Sequence, residues 1–385
     1  MDPTSTAIGT WSGGRFMHFG EPLDDARLKT LLRPGGGIDT VMSADAYGAG
    51  EADRVLGKAL DGVDRESYCL IGAIGHDFYE GDREGAKGFP RFTDARLRKE
   101  GEYGDYIRMA TERSLERCGV DRFDLLLLHN PDRTGFTSEA VWNGMEAVRA
   151  AGLTRQLGVA PGPANGFTLD LIDCFERFGS LLDWAMVILS PMEPWPGELV
   201  LDAAQANDVS LITRVVDYGG LFHGDVRPGH SFAEYDHRKF RPDGWVELGN
   251  EKLERMRPYA ERHGLTLLQL ACQWNLAHPA VRCVAPTLIQ ESESDPAHPA
   301  WAIEDKRAEL ATLPSEILLS AAEVDELRAI GDNTGSMSLK GANPDHTEAE
   351  RADRWGMSED LEALATRWEI APERDLAQLS QAPAA

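Results

Sequence analysis

The chain has no run of about eighteen apolar residues, the length a helix needs to cross a bilayer. It has no CxxC pair. Its five cysteines, Cys69, Cys118, Cys174, Cys272 and Cys283, are scattered, which reads as buried reduced thiols rather than a disulfide framework or a zinc site. A GxGxxG fingerprint is also missing; Gly35-Gly36-Gly37 precedes a strand-like segment instead of following one, so it reads as a turn. Positive charge is scarce. Against 64 Asp and Glu there are only 39 Lys and Arg, a net charge of −25 that would repel a phosphate backbone or an anionic membrane. The expected partner is therefore a small molecule, not nucleic acid or membrane. Residues 1–11 lack a basic stretch followed by an apolar core, so no signal peptide is expected and a cytoplasmic location is.

What the sequence does contain is alternation. Strand-like segments fall at 4–11, 38–42, 68–73, 123–129, 154–160, 184–190, 210–216 and 280–285. Helical spacing marks 51–60, 105–117, 139–150, 168–178, 199–207, 251–263 and 267–278 between them. Eight strands with helical crossovers predict an α/β fold, a closed (β/α)8 barrel whose function sits at the C-terminal ends of the strands. Phe123–His129 is apolar throughout until its last residue, as in a strand buried on both faces. The barrel is expected over 1–330, with a polar insertion at 222–249 and a capped helix at 320–330. Residues 331–385 read as a helical extension packed on the barrel through Trp355, Leu361, Leu364 and Trp368, with a disordered end.

Several stretches carry a family likeness. They are Ser43-Ala44-Asp45-Ala46-Tyr47-Gly48, the helix Glu51 through Leu60, Leu157-Gly158-Val159 and Leu270-Ala271-Cys272-Gln273-Trp274. The most specific is Ser114-Leu115-Glu116-Arg117-Cys118-Gly119-Val120-Asp121-Arg122-Phe123-Asp124, running on to His129. In this order, across residues 9–327, the chain resembles the aldo-keto reductases. The resemblance implies a TIM barrel and NADP- or NAD-linked carbonyl/alcohol oxidoreduction of a small sugar-like or ring substrate. In that chemistry a tyrosine protonates the alkoxide and a lysine–aspartate pair acidifies the tyrosine. A free phenol, near pKa ~10, is a poor acid–base partner at neutral pH.

Carried over position by position, the tyrosine is Tyr47 and the substrate-orienting histidine is His129. The aspartate falls on Met42 and the lysine on Ala73, and Lys87 lies far along a loop. The Ser-Asn pair that would hold the carboxamide falls on Ala160-Pro161, and the sixth-strand glutamine near Met186. After the last strand, where the family places basic groups on the adenosine phosphate, stand Glu291, Glu293 and Asp295, with Lys306 and Arg307 further on. Tight NADP binding is not expected from that arrangement.

The candidate catalytic residues are thus Tyr47 and His129. Candidate substrate contacts are Trp11, His76, Glu193, Trp195 and Asp217, and candidate cofactor contacts are Gly9, Thr10, Arg214 and Thr287. His76, Asp77, Glu193 and His129 do not have zinc-site spacing, so no metal is expected. His18 is a candidate for the mouth; His230 and His237 read as solvent-facing. Three readings stay open: a reductase with altered cofactor use, a cofactor-independent lyase, hydrolase or isomerase using His129 and Tyr47, and a catalytically silent binder.

Overall fold

A computed structural model describes residues 1–85, 88–162, 168–241, 243–292, 300–334 and 358–371. Lys87, Glu293, Asp295, Trp355 and the end of the tail lie outside the described residues.

Eight parallel strands follow one another in chain order: β1 (Ala7–Gly9), β2 (Thr40–Met42), β3 (Cys69–Ile74), β4 (Phe123–His129), β5 (Thr154–Ala160), β6 (Trp184–Ile188), β7 (Ser210–Arg214) and β8 (Val281–Ala285). The first meets the last through a parallel bridge between Thr6 and Val284, with Val284 N donating to Ser5 O at 2.9 Å, which closes the sheet into a (β/α)8 barrel. The helices are α1 (Asp25–Leu32), α2 (Glu51–Leu60), α3 (Tyr103–Cys118), α4 (Arg133–Thr137), α5 (Glu139–Ala150), α6 (Thr168–Phe178), α7 (Leu201–Ala206), α8 (Trp245–His263), α9 (Leu267–Leu276), α10 (Ile303–Ala311), α11 (Ala321–Gly331) and α12 (Glu359–Arg367).

Period-two alternation divides the core in two. Leu126 and Leu128 of β4 face the helical ring with Leu70, Val41 and Ile107, whereas Leu125 and Leu127 face inward with Met42, Ile71, Ala73, Met186 and Ile212. Local signals stop and start the helices. Gly119, at φ +70°, ends α3, and Ser320 with Glu323 forms a reciprocal cap at the start of α11. Four helices differ from the sequence reading: α1, α4 and α10 lie in stretches without strong periodicity, and α8 begins at Trp245, inside the expected insertion. In the tail, α12 packs on α6, where Arg367 and the Trp368 indole both reach Glu176, at 2.6 and 2.8 Å.

Candidate active site

The same alternation aims a ring of side chains into the C-terminal mouth. Continuing inward from Leu125 and Leu127 brings in His129; continuing from Ile212 brings in Arg214. Tyr47 follows β2 in a turn, its N–H donating to Ala44 O, and its ring meets His129 edge-on with centroids 5.6 Å apart. His76 follows β3 and meets the other side of His129 at 5.2 Å.

Hydrogen bonds set the state of these rings. His76 donates from Nδ1 to Phe89 O at 2.9 Å, so its Nε2 accepts from the Asn130 amide at 3.1 Å. Burial, reinforced by Arg91, pushes its pKa down to about 3, so His76 is neutral. His129 is also held well below the usual imidazole range, by burial and then by His76, Arg91 and Arg214. Its Nδ1 has no hydrogen-bond partner among the described residues. Beside Tyr47, Met42 and Ala73 take the inward positions on β2 and β3 where the resemblance places an aspartate and a lysine. Burial raises the phenol's pKa, and Arg214 only partly opposes it. Tyr47 therefore remains a protonated donor.

The opposite wall is charged. Glu193 lies in the loop after β6, pinned by paired backbone bonds with Ser190 at 2.9 and 3.3 Å. It is 1% exposed, and neither carboxylate oxygen has a partner among the described residues. Burial raises its pKa to about 7, with Arg241 and Arg214 opposing. Arg214 donates to Pro161 O at 3.0 Å and acts electrostatically on Tyr47, His129 and Glu193 together. The next residue, Val215, takes φ +61°, a region that β-branched side chains rarely occupy and that concentrates at functional sites.

Other expected residues sit differently. Trp11 lies flat over Gly9, where a Cβ would stand 2.2 Å from the indole, so only glycine fits. Thr10 is buried with its hydroxyl unpartnered among the described residues, and Trp195 is buried with its backbone held on both sides by Asn333 at 3.0 and 2.9 Å. Asp217 is not open to a substrate: its two oxygens accept from Thr287 N at 2.7 Å and Gly220 N at 2.9 Å, tying the β7 loop to the β8 loop. Thr287 is held by that bond and by His223, whose Nε2 meets Thr287 O at 2.9 Å. Asp77 faces away from the histidines and pairs with Arg98 at 2.6 Å, so the expected grouping of His76, Asp77, Glu193 and His129 is split. His18 is exposed beside His237, with ring centroids 5.2 Å apart. His230, expected in solvent, is buried against Glu291 at 3.4 Å. Among the described residues, no group of three or more His, Cys, Asp or Glu side chains is arranged to hold a metal ion.

The dinucleotide that the resemblance implies finds few donors. Ala160 faces the barrel interior, and the Pro161 carbonyl is taken by Arg214. At the β8 corner every basic group is already engaged. Lys306 pairs with Asp225 at 2.5 Å and donates to Ile289 O at 2.7 Å. Arg307 donates to the carbonyls of Leu31, Arg33 and Gly35. Glu291 is no loose negative charge either, because Arg238 bridges it, at 2.5 and 2.8 Å, to Asp236. Burial would raise the Glu291 pKa, yet His230 and Arg238 hold it well below the usual carboxylate range. Among the described residues, then, neither the carboxamide side nor the phosphate side fits NADP or NAD.

Two residues of the site escaped the sequence reading. Asn130, immediately after His129, was legible as a polar residue at a strand end; it takes φ +47° and fixes the His76 tautomer. Arg241 sits in the insertion, and no local signal marks it.

Residues 7–313 match the model of the aldo/keto reductase family. The chain is 26% identical over 262 residues to D-threo-aldose 1-dehydrogenase of a Pseudomonas species, covering 64% of this chain and 74% of that one. It is 24% identical over 267 residues to 6-dehydroglucose reductase of Agrobacterium fabrum, covering 66% and 74%. Among solved structures, the glycerol dehydrogenase of Gluconobacter oxydans shares the fold at TM-score 0.63 and 21% identity, over 85% of this chain and 90% of that one. The holo form of an aldo-keto reductase from Bacillus halodurans does so at TM-score 0.58 and 19% identity, over 86% and 93%. No described helix is long and apolar enough to cross a membrane. Barrel, motifs and matched span agree: the chain belongs to the aldo/keto reductase family.

Proposed function

We propose that this chain acts on a small sugar-like or ring-shaped carbonyl compound at the barrel mouth, by proton transfer beside the carbonyl rather than by hydride transfer. The observation that carries the reading is Glu193, a buried carboxyl without a hydrogen-bond partner among the described residues, with a pKa of about 7. A general base is most effective with its pKa near the working pH. Ionised Glu193 would take the proton from the hydroxyl-bearing carbon next to the carbonyl. The oxygen turning into an enediolate would be met by the Tyr47 hydroxyl and the neutral His129 ring. Returning that proton to the neighbouring carbon, while the hydroxyl proton passes to the former carbonyl oxygen, completes an aldose–ketose isomerisation that consumes no oxidant or reductant. A phenol with a raised pKa suits the donor role, because it stays protonated through neutral pH. Trp11 and Trp195 supply apolar surface for the carbon skeleton, and neutral His76 backs His129.

The sugar class draws support from the relatives named as an aldose dehydrogenase and a dehydroglucose reductase. Those names also favour a second reading, NAD(P)-linked oxidoreduction of the same kind of compound. Incubating the protein with glucose or fructose in D2O, without nucleotide, separates the two. Deuterium appearing at the carbon beside the carbonyl, and lost in Glu193→Gln, is the expected NMR result. Turnover seen only with NADPH or NADH would overturn the proton-transfer reading and support the second.

A further inference from the structure

Buried cations elsewhere in this barrel meet carboxylates. Arg238 has Asp236 and Glu291, Lys306 has Asp225, and Arg98 has Asp77. Two guanidiniums at the mouth, the half-buried Arg214 and the buried Arg241, have no carboxylate bonded to them among the described residues. Arg214 has the Pro161 carbonyl and no ion pair among the described residues. Arg241 reaches in from the insertion and lies over the rings of Tyr218 and Trp245, at 4.7 and 4.5 Å. It rests on Gly219, whose missing side chain makes room; a Cβ there would stand 3.1 Å from the guanidinium. The residue is 9% exposed, and its Nη1 is buried without a partner among the described residues.

Both arginines act electrostatically on Glu193, yet neither bonds to it. One carboxyl cannot balance two cations, and an uncompensated buried charge is a costly arrangement. The aromatic faces fix the plane of Arg241 and leave its edge for a planar or tetrahedral oxyanion.

We propose that the substrate carries an anionic group, a carboxylate or a phosphate, which binds between Arg241 and Arg214. This rests on the mouth being the substrate site, but not on the reaction assigned to it. The chain's net charge of −25 makes the local excess of positive charge more selective, since little else on the molecule attracts an anion.

Calorimetric titration of the intact protein with glucose, glucuronate, the neutral methyl ester of glucuronate and glucose-6-phosphate tests the proposal. At least one of the two anions should bind about tenfold or more tighter than glucose, the scale of one charge-assisted contact. Preference for glucuronate over its ester marks a carboxylate site; preference for glucose-6-phosphate alone marks a phosphate site. Arg241→Gln should reduce the preferred anion to the level of glucose, and Arg241→Lys should keep part of the preference. Equal affinity for charged and neutral sugars in the wild type overturns the proposal without any variant. So does a preference that survives in folded Arg241→Gln, or no anion binding up to about 10 mM. Because binding is read without turnover, failure of the isomerase reading would leave an anion preference standing, and loss of the preference would leave turnover of neutral sugars standing.

Discussion

Two corners of the same barrel mouth bury charge to the same depth and treat it in opposite ways. At the β8 corner Arg238 joins Asp236 to Glu291, Lys306 pairs with Asp225, and Asp217 accepts from two backbone N–H groups. Elsewhere at the mouth Glu193 and the Nδ1 of His129, and at the corner's own edge the Nη1 of Arg241, have no hydrogen-bond partner among the described residues. The first corner holds three loops and the insertion together; Asp236 even reaches Gly20 N, 216 residues away, at 2.8 Å. The second is poised for a guest. Satisfied buried polar groups stiffen a fold, whereas unsatisfied ones cost stability and persist where function needs them.

The largest effect should come from breaking the satisfied corner. Arg238→Met leaves Glu291 and Asp236 buried without their cation and should cost up to about 5 kcal/mol in urea denaturation. A cost near zero would mean that the corner is not rigid and that the contrast fails.

Acid comes next. His76 has a folded pKa of about 3 against an ordinary 6.5, so the unfolded chain takes up its proton first as pH falls. Stability from this group is present above pH 6.5 and is lost on going down toward pH 3, by ~4 kcal/mol. Denaturation midpoints across that window should fall less in His76→Phe than in the wild type.

Glu193 has the opposite sign. Its folded pKa is raised from 4.5 to about 7, so it is tolerated while protonated and costs stability as pH rises through that range. Glu193→Gln should match the wild type near pH 4.5 and exceed it by ~3 kcal/mol above pH 7. The same variant should lose turnover, the mark of a group kept for chemistry rather than stability.

The smallest effect concerns the link to the C-terminal segment. Asn333→Ala removes two bonds to the Trp195 backbone, at 3.0 and 2.9 Å, and should cost about 1 kcal/mol. A larger loss would show that the Trp195 loop is held mainly from outside the barrel.

The barrel was legible because alternation is local: Phe123–His129 declares its two buried faces and its polar end within seven residues. Tyr47, His129 and the replacements Met42 and Ala73 came instead from the family resemblance, carried over position by position, and in the structure Met42 and Ala73 face the barrel interior. The loops were not legible. Arg238 meets Glu291 from 53 residues away, and Asp217 meets Thr287 from 70, and no sequence period records such meetings. Glu291 therefore read as a charge against phosphate, and His230 as a surface residue, when each is the other's partner. Helix α10 was missed because a buried Lys306 sits among its few core-facing positions.

Among the described residues, the β8 corner leaves no basic side chain free for a dinucleotide. Titrating the protein with NADPH and with NADH, and following protein and nucleotide fluorescence up to about 1 mM, tests it most directly. No saturable change is expected with either nucleotide. Saturable binding in the micromolar range would contradict the account and return the mouth to hydride transfer.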